Sequence, residues 1–306
     1  MRAAFLGTPS AAVPSLAALI DVADVDVVVT RPDRAKGRSG KPTPPPVKVA
    51  AMEWGLPVVQ PESRGELDRI LYGASIDVGV VVAYGRILSP AALASAPAGF
   101  VNVHFSLLPR WRGAAPVERA ILEGDDSTGV TLMQLDEGLD TGPVIAAVET
   151  PIAPDETGGS LTGRLAYLGG MLIDDAMSEL LAGRLDTAPQ LSAGVTIAKR
   201  LDRSEGRIDP SWTAAYAERA IRAFNPRPGA WFSIEGAPCR VHRASLANEA
   251  VTPGAIAPFN GIAVLGLEGG SITLELVQPA GKATMTGTAW LNGRRGAGGR
   301  IDPPNE

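Results

Sequence analysis

One cysteine and two histidines among 306 residues exclude several kinds of chemistry at the outset. Cys239 has no partner for an internal disulfide, so a reducing, cytoplasmic setting is expected. His104, His242 and Cys239 stand too far apart in sequence to make a zinc pattern, and no metal is expected. No uncharged apolar run reaches the roughly 18 to 20 residues that span a bilayer. The opening Met1–Gly7 run breaks at Pro9 and does not read as a secretion signal. Gly7-Thr8-Pro9-Ser10 is not a dinucleotide fingerprint, and there is no phosphate-loop lysine motif. No internal repeat is found. What remains is a globular composition, 45% hydrophobic and 20% charged, long enough for one large domain or two ordinary ones.

The net charge of −5 argues against a nucleic-acid binder until its distribution is considered. Residues 1–186 hold 15 basic and 23 acidic side chains, a net of −8; residues 187–306 hold 13 and 10, a net of +3. Within the acidic half, residues 31–48 carry Arg31, Arg34, Lys36, Arg38, Lys41 and Lys48 against Asp33 alone. A basic loop and a basic second half can touch a polyanion locally; a solvated loop and ordinary domain variation are the plainer alternative.

Apolar runs alternate with amphipathic stretches through the first half. Strands are expected at Ala3–Gly7, Asp24–Thr30, Pro57–Val59, Ile76–Ala83 and Gly99–His104. Helices are expected at Ser10–Leu19, Pro46–Trp54, around Leu67–Leu71 and at Pro116–Glu123. Strands separated by helices give βαβ units and a doubly wound, mostly parallel sheet. Two more strands over 129–150 join through Gly138–Gly142, and a long helix over Ser160–Leu181 ends at Gly183. Residues 187–203 lack periodicity and read as a linker between a domain over 1–186 and another over 204–306. The second domain opens with a helix, Trp212–Phe224. Short alternating strands follow at Trp231–Ile234, Arg240–Ala247, Ile262–Leu265 and Ser271–Leu276, the pattern of a small OB-like β-barrel.

The segment Asn102-Val103-His104 ends a strand and runs into Phe105–Gly113, the place where α/β sheets hold ligands. Asn102 and His104 are two apart, so both side chains leave one face of the strand. An amide can donate to an oxyanion, an imidazole can move a proton near neutral pH, and the Asp140 carboxylate can orient that imidazole. Gly138 and Gly142 let the Asp140 loop bend inward. A lone strand-end histidine is also a common structural hydrogen-bonder, and an aspartate between glycines a common turn residue. Spacing alone leaves both readings open.

These residues strongly resemble the methionyl-tRNA formyltransferase family. The resemblance runs through Asn102–His104, Ser106–Pro116, Thr128–Thr131 and Asp136–Gly142. It includes Arg31–Arg34, Gly37-Arg38, Pro46–Lys48, Gly55–Val58 and Val82–Gly85, and later Arg207–Asp209, Ile221–Pro226 and Gln278–Lys282. It covers nearly the whole chain and implies a Rossmann-like formyltransferase domain followed by a β-barrel. The implied reaction moves the formyl group of 10-formyltetrahydrofolate to the α-amine of methionyl initiator tRNA. Asn102 and His104 would hold the formyl oxygen, and His104 with Asp140 would handle the protons. Ser106, Leu107, Leu108 and Pro109 would line the folate pocket, with backbone of Val82, Ala83 and Tyr84 at the pterin and Asp136 to Gly138 closing over it. No metal or nicotinamide is implied. One departure stands out: Phe105 occupies a position the family commonly fills with glycine, so its ring must lie beside the folate pocket or point into the sheet.

The same resemblance implies a tRNA-contacting loop with Arg34, Lys36, Arg38 and Lys41. Arg38 matches the arginine used near the open end of the acceptor stem. Lys199, Arg200, Arg203, Arg207, Arg222, Lys282, Arg294 and Arg295 would follow phosphates, with about half of these cations expected to be plain surface charge. A monomer is expected. The Asn/His/Asp set and Ser-Leu-Leu-Pro belong to many formyl-tetrahydrofolate enzymes, so the rivals are a formyltransferase for a small amine, a formyl-tetrahydrofolate hydrolase, and a catalytically silent folate- or RNA-binding protein. The basic loop and basic second half separate the tRNA reading from the first, and release of free formate without transfer would mark the second.

Overall fold

A computed structural model describes residues 1–35, 40–181 and 186–303. The elements, in chain order, are β1 (Arg2–Gly7), α1 (Val13–Val22), β2 (Asp24–Val29), β3 (Arg34–Ala35), β4 (Pro42–Thr43), α2 (Pro46–Glu53), β5 (Val58–Val59), α3 (Arg64–Gly73), β6 (Val78–Val82), α4 (Pro90–Leu93), β7 (Phe100–His104), β8 (Arg112–Gly113) and α5 (Pro116–Glu123). They continue with β9 (Ser127–Gln134), β10 (Val144–Pro151), α6 (Gly158–Leu181), β11 (Ile197–Ala198), α7 (Ala214–Ala223), β12 (Ala230–Ile234), β13 (Ala237–Ala247), β14 (Ala255–Phe259), β15 (Ile262–Leu267), β16 (Gly270–Pro279), β17 (Met285–Thr286), α8 (Gly287–Gly293) and β18 (Gly299–Arg300). Two compact units result: one from residues 1–116, 127–151 and 162–198, the other from 117–126, 152–161 and 199–306.

The first unit is built on a seven-stranded sheet in the order β10-β9-β7-β6-β1-β2-β5. Strands β5, β2, β1, β6 and β7 run parallel, and at one edge β9 runs antiparallel to β7 and β10 antiparallel to β9. Every residue of Val78–Val82 is buried, as an apolar β-branched run covered on both faces requires. The strand order reverses between β1 and β6, which opens a crevice beyond their carboxyl ends. Thr8 Oγ1 donates to the Tyr84 carbonyl across it at 3.1 Å.

One expected helix start moves. The stretch from Ser10 begins as a 3-10 turn and becomes α-helical only at Val13, with Pro14 in the first turn, where a missing N–H costs nothing. The expected helix end at Gly183 lies outside the described residues.

The second unit holds the antiparallel sheet β12-β13-β16-β15-β14-β18, with β17 beside β16. It curls into a near-barrel: the Asp302 N–H, just past β18, donates to the Ser233 carbonyl in β12 at 2.7 Å. Phe232, Val241, Ile256, Leu265, Ile272 and Leu274 fill its core with Trp290 and Leu291 of α8. Helix α7 is capped by Thr213, whose Oγ1 accepts the Tyr216 N–H. Trp212 stays outside the helix and meets the Tyr216 ring edge-on at 5.0 Å. Strands β14 and β18 and helix α8 were not expected from the sequence.

Candidate active site

Strand β7 carries Asn102 and His104 between β6 and β9, with Asn102 opposite Val81 and Met133 and His104 opposite Thr131. Alternation sends the other set, Val103 and Phe105, to the face covered by α6. A Cβ on Gly169 of α6 would stand 2.7 Å from Val103 Cγ1 and 3.7 Å from Phe105 Cε1. The Phe105 ring is therefore buried under a glycine of the helix, on the face opposite Asn102 and His104. The glycine absent after the histidine reappears, in effect, on the helix that covers it.

His104 is buried, and both ring nitrogens are engaged. Nε2 lies 2.8 Å from the Trp111 carbonyl, a contact that makes it the protonated nitrogen. Nδ1 faces Asp140 Oδ2 at 3.7 Å. Burial pushes the His104 pKa below its ordinary 6.5, and neither the Asp140 charge nor the Trp111 carbonyl reverses this. Asp140 Oδ2 in turn accepts the Gly113 N–H at 2.8 Å. Asn102 is half-buried, and no other described residue takes up its side-chain amide by hydrogen bonding. The three candidate catalytic residues thus share one locality: two on a strand, the third brought in by the β9–β10 connection.

The backbone around them is held in sparsely populated geometry. Trp111, Asp140 and Ala83 have φ of 64°, 51° and 46°, left-handed values uncommon for residues with a side chain. Gly113 sits at φ 123°, and a Cβ there would come within 2.6 Å of the Ala198 carbonyl oxygen. Such strain persists only where surrounding bonds over-determine it.

The Ser106–Pro109 loop, whose Leu108–Pro109 peptide is cis, is pinned from inside. Thr131 Oγ1 donates to the Ser106 carbonyl at 2.7 Å and accepts the Leu108 N–H at 3.1 Å. Ser106 Oγ is spent on the Arg110 carbonyl at 2.6 Å. Leu107 packs over β9, where a Cβ on Gly129 would lie 2.5 Å from its Cδ2. Val82 and Tyr84 are buried and Ala83 is exposed at the end of β6. The Tyr84 hydroxyl has no hydrogen-bond partner among the described residues, and burial lifts its pKa to about 12. Asp136 is exposed and organises the next turn, accepting the Gly138 N–H and the Thr141 hydroxyl. A Cβ on Gly138 would stand 1.9 Å from Thr141 Oγ1, so a side chain there would push the Thr141 hydroxyl off Asp136. A cavity of about 590 Å³ opens alongside, lined by Arg112, Thr141, Pro143, Gln190, Leu191 and Val195 among others. Among the described residues no cluster of metal-ligating side chains occurs.

The candidate tRNA contacts divide. Lys36 and Arg38 lie outside the described residues. Arg34 and Lys41 are exposed on the β3–β4 hairpin and its edge, whereas Lys48 turns inward to Asp33 and Gln60. Lys199, Arg200, Arg203, Lys282 and Arg295 are exposed. Arg207 lies over the Trp231 ring and donates to the Asp302 and Pro303 carbonyls. Arg222 pairs with Glu218, and Arg294 with Glu235. Those three guanidiniums are already bound within the protein.

A doubly wound sheet carries the amide, the buried imidazole and the carboxylate near one strand end, and the chain is a formyl transferase by its sequence: residues 1–177 match the formyl transferase family and 200–295 its C-terminal domain. The methionyl-tRNA formyltransferase of Myxococcus xanthus is 45% identical over 302 residues, covering 97% of this chain and 96% of that one. The enzyme of that name from Halorhodospira halophila is 47% identical over 300 residues, covering 96% of each. The chain belongs to the methionyl-tRNA formyltransferase family. The N-formyltransferase of Helicobacter canadensis, solved with folinic acid and dTDP-3-aminofucose, shares the fold with a TM-score of 0.69 at 20% identity, over 90% of this chain and 98% of that one. No helix among the described residues is long and apolar enough to cross a membrane.

Sequence reasoning missed the residues that hold this site. Thr131, Gln190 and Thr196 bond to the loops that carry the candidate groups. Nothing in the aperiodic stretch around Gln190 and Thr196 signals this, because its partners are distant in sequence.

Proposed function

We propose that the protein transfers the formyl group of 10-formyltetrahydrofolate to the α-amine of methionyl initiator tRNA, giving N-formylmethionyl-tRNA. The observation that carries this reading is the buried His104 set between the Trp111 carbonyl and Asp140, two residues along the strand from the uncommitted Asn102 amide. The amine attacks the formyl carbon and a C–N bond forms. The carbonyl oxygen becomes an oxyanion, towards which the Asn102 amide donates; such a donor is typically worth about 10² to 10³ in rate. His104 Nδ1 accepts the amine proton directly or through a water, and Asp140 balances the imidazolium. The tetrahedral intermediate then collapses. The bond to the folate N10 breaks, and that nitrogen takes up the proton as tetrahydrofolate leaves.

Folate is the donor supported by the Helicobacter relative's folinic acid complex. On this reading the Ser106–Pro109 loop, the Val82–Tyr84 strand end and the Asp136–Gly138 turn surround it. Residues 1–186 carry the catalytic groups, 187–203 run from them to 204–306, and exposed cations of these last two segments meet the tRNA, with Arg34, Lys36, Arg38 and Lys41 at the acceptor end. The lone buried Cys239 needs no oxidising compartment, which supports work in the cytoplasm. The test is transfer of labelled formyl from 10-formyltetrahydrofolate to charged initiator tRNA, with charged elongator tRNA and a nucleotide-linked amino sugar as competitors. Preferential labelling of the initiator is expected. Release of free formate alone would mean a hydrolase, and labelling of the amino sugar alone a small-amine enzyme.

A further inference from the structure

We infer that Gln190 and Thr196, on the segment that follows α6, are positioning residues for the transfer reaction, Gln190 holding the Asp140 turn and Thr196 holding the Trp111 backbone that fixes the His104 ring. The inference rests on the reaction proposed above. Gln190 spends its whole hydrogen-bonding capacity on the site. Its Nε2 donates to the carbonyls of Asp140 and Gly142, each at 2.8 Å, and its Oε1 accepts from Arg112 Nε and Nη2 at 3.0 and 2.6 Å. The Asp140 carbonyl belongs to a residue at φ 51°, so the bond from Gln190 holds the turn in its uncommon geometry. Arg112 precedes Gly113, whose N–H holds the Asp140 carboxylate. One side chain therefore grips the carboxylate from both ends, through its own backbone and through the residue before its N–H donor.

Thr196 does the corresponding work on the other side. Its Oγ1 accepts the Trp111 N–H at 2.8 Å, and the Trp111 carbonyl faces His104 Nε2. Trp111 is a bulky residue at φ 64°, a conformation it keeps only under restraint. Backbone bonds run beside these side chains: Ala188 pairs with Val144, and Arg112 and Ala114 donate to the Thr196 and Ala198 carbonyls. Leu191 to Val195 between the two is exposed, so the segment touches the site at the points where its polar side chains turn inward.

The test uses full-length protein and three variants: Gln190→Leu, Thr196→Val and Thr196→Ser. Loss of about an ångström of alignment at reacting groups costs up to about 10²-fold. Gln190→Leu and Thr196→Val are expected to lower kcat at least about tenfold, with KM for 10-formyltetrahydrofolate within about twofold of wild type and the melting temperature retained. Thr196→Ser, which keeps the hydroxyl, is expected to recover most of the rate. Asp140 is the charged group facing His104, while Arg112 is held by Gln190 and Arg110 lies over the Trp111 ring. In Gln190→Leu the acid limb of the pH–rate profile is therefore expected at lower pH, because a displaced Asp140 raises the His104 pKa less. Unchanged kcat in Gln190→Leu and Thr196→Val overturns the inference. So does a loss that tracks melting temperature, leaves the acid limb in place and is not recovered by Thr196→Ser. The wild-type arm reports separately on the reaction: absence of formyl transfer there sinks the proposed function itself.

Discussion

Burial decides what His104 can do. An exposed imidazole is half-charged near pH 6.5; here desolvation favours the neutral ring, with the Trp111 carbonyl fixing which nitrogen keeps the hydrogen. Asp140 partly offsets the desolvation and becomes most valuable once the ring is protonated. His104→Ala and Asp140→Asn are each expected to cut turnover by at least about 10²-fold while tRNA binding survives, which steady-state rates and filter binding together will check. Retained turnover in either would remove that residue from the mechanism. The pH dependence follows in sign. A base with a depressed pKa stays neutral down to lower pH, so kcat/KM for wild type is expected to hold as pH falls to 6.5 and to drop only below it. In Asp140→Asn the residual activity keeps its plateau to still lower pH. Stability follows the same window: below 6.5 the unfolded chain takes up a proton before the folded one does, so His104 disfavours the native state as pH falls through that range. A rise of activity on acidification towards 6 would contradict a neutral histidine.

At the scale of elements, strand alternation and helix packing explain Phe105. Period two puts it on the face away from Asn102 and His104, and Gly169 of α6 provides the room that a family glycine would have left. Phe105→Ala is expected to cost about 3 to 5 kcal/mol of unfolding free energy, as large-to-small changes in packed cores do, without raising KM for the folate donor. Urea unfolding and donor kinetics on the same variant check this; a raised donor KM with stability intact would put the ring in the pocket instead. Elements with a strong local signature were legible in advance. The apolar run Val78–Val82 and the strand ending at His104 stand where periodicity put them. Strand β14 was not legible because it contains Pro258, which ordinarily argues against a strand. Pro258 stands opposite Ala263 of β15, while β18 pairs only with Ala255 and Ile256, so on its other side β14 has no strand opposite Pro258 among the described residues. Helix α8 begins and ends in glycine and reads as loop; it is held by the Thr286 cap and by burial of Trp290 and Leu291, which are long-range facts. The same limit hid Gln190 and Thr196. Their partners lie 50 and 85 residues away, beyond the reach of any local pattern.

At the scale of the whole molecule the question is which cations meet RNA. A net of −8 over residues 1–186 and +3 over 187–306 locates the attraction in the second half, but charge counts do not distinguish free side chains from committed ones. Arg207, Arg222 and Arg294 have partners within the protein, and recruiting them would leave Glu218 and Glu235 without their guanidiniums. Lys199, Arg200 and Arg203 are exposed within five residues of chain and are free to release counterions from a phosphate backbone. Replacing all three by alanine is expected to weaken tRNA binding uniformly across tRNA species. The slope of log affinity against log salt should fall by about 2 to 3, since each lost phosphate contact removes roughly 0.7 to 0.9. Folate binding, measured on the same protein, should not change. Arg222→Ala should show the reverse: lower thermal stability, with little change in the salt slope. If the triple replacement leaves the slope where it was, those three side chains are surface charge, and the polyanion is held elsewhere, by Lys282 and Arg295 or by the basic loop between Arg31 and Lys48.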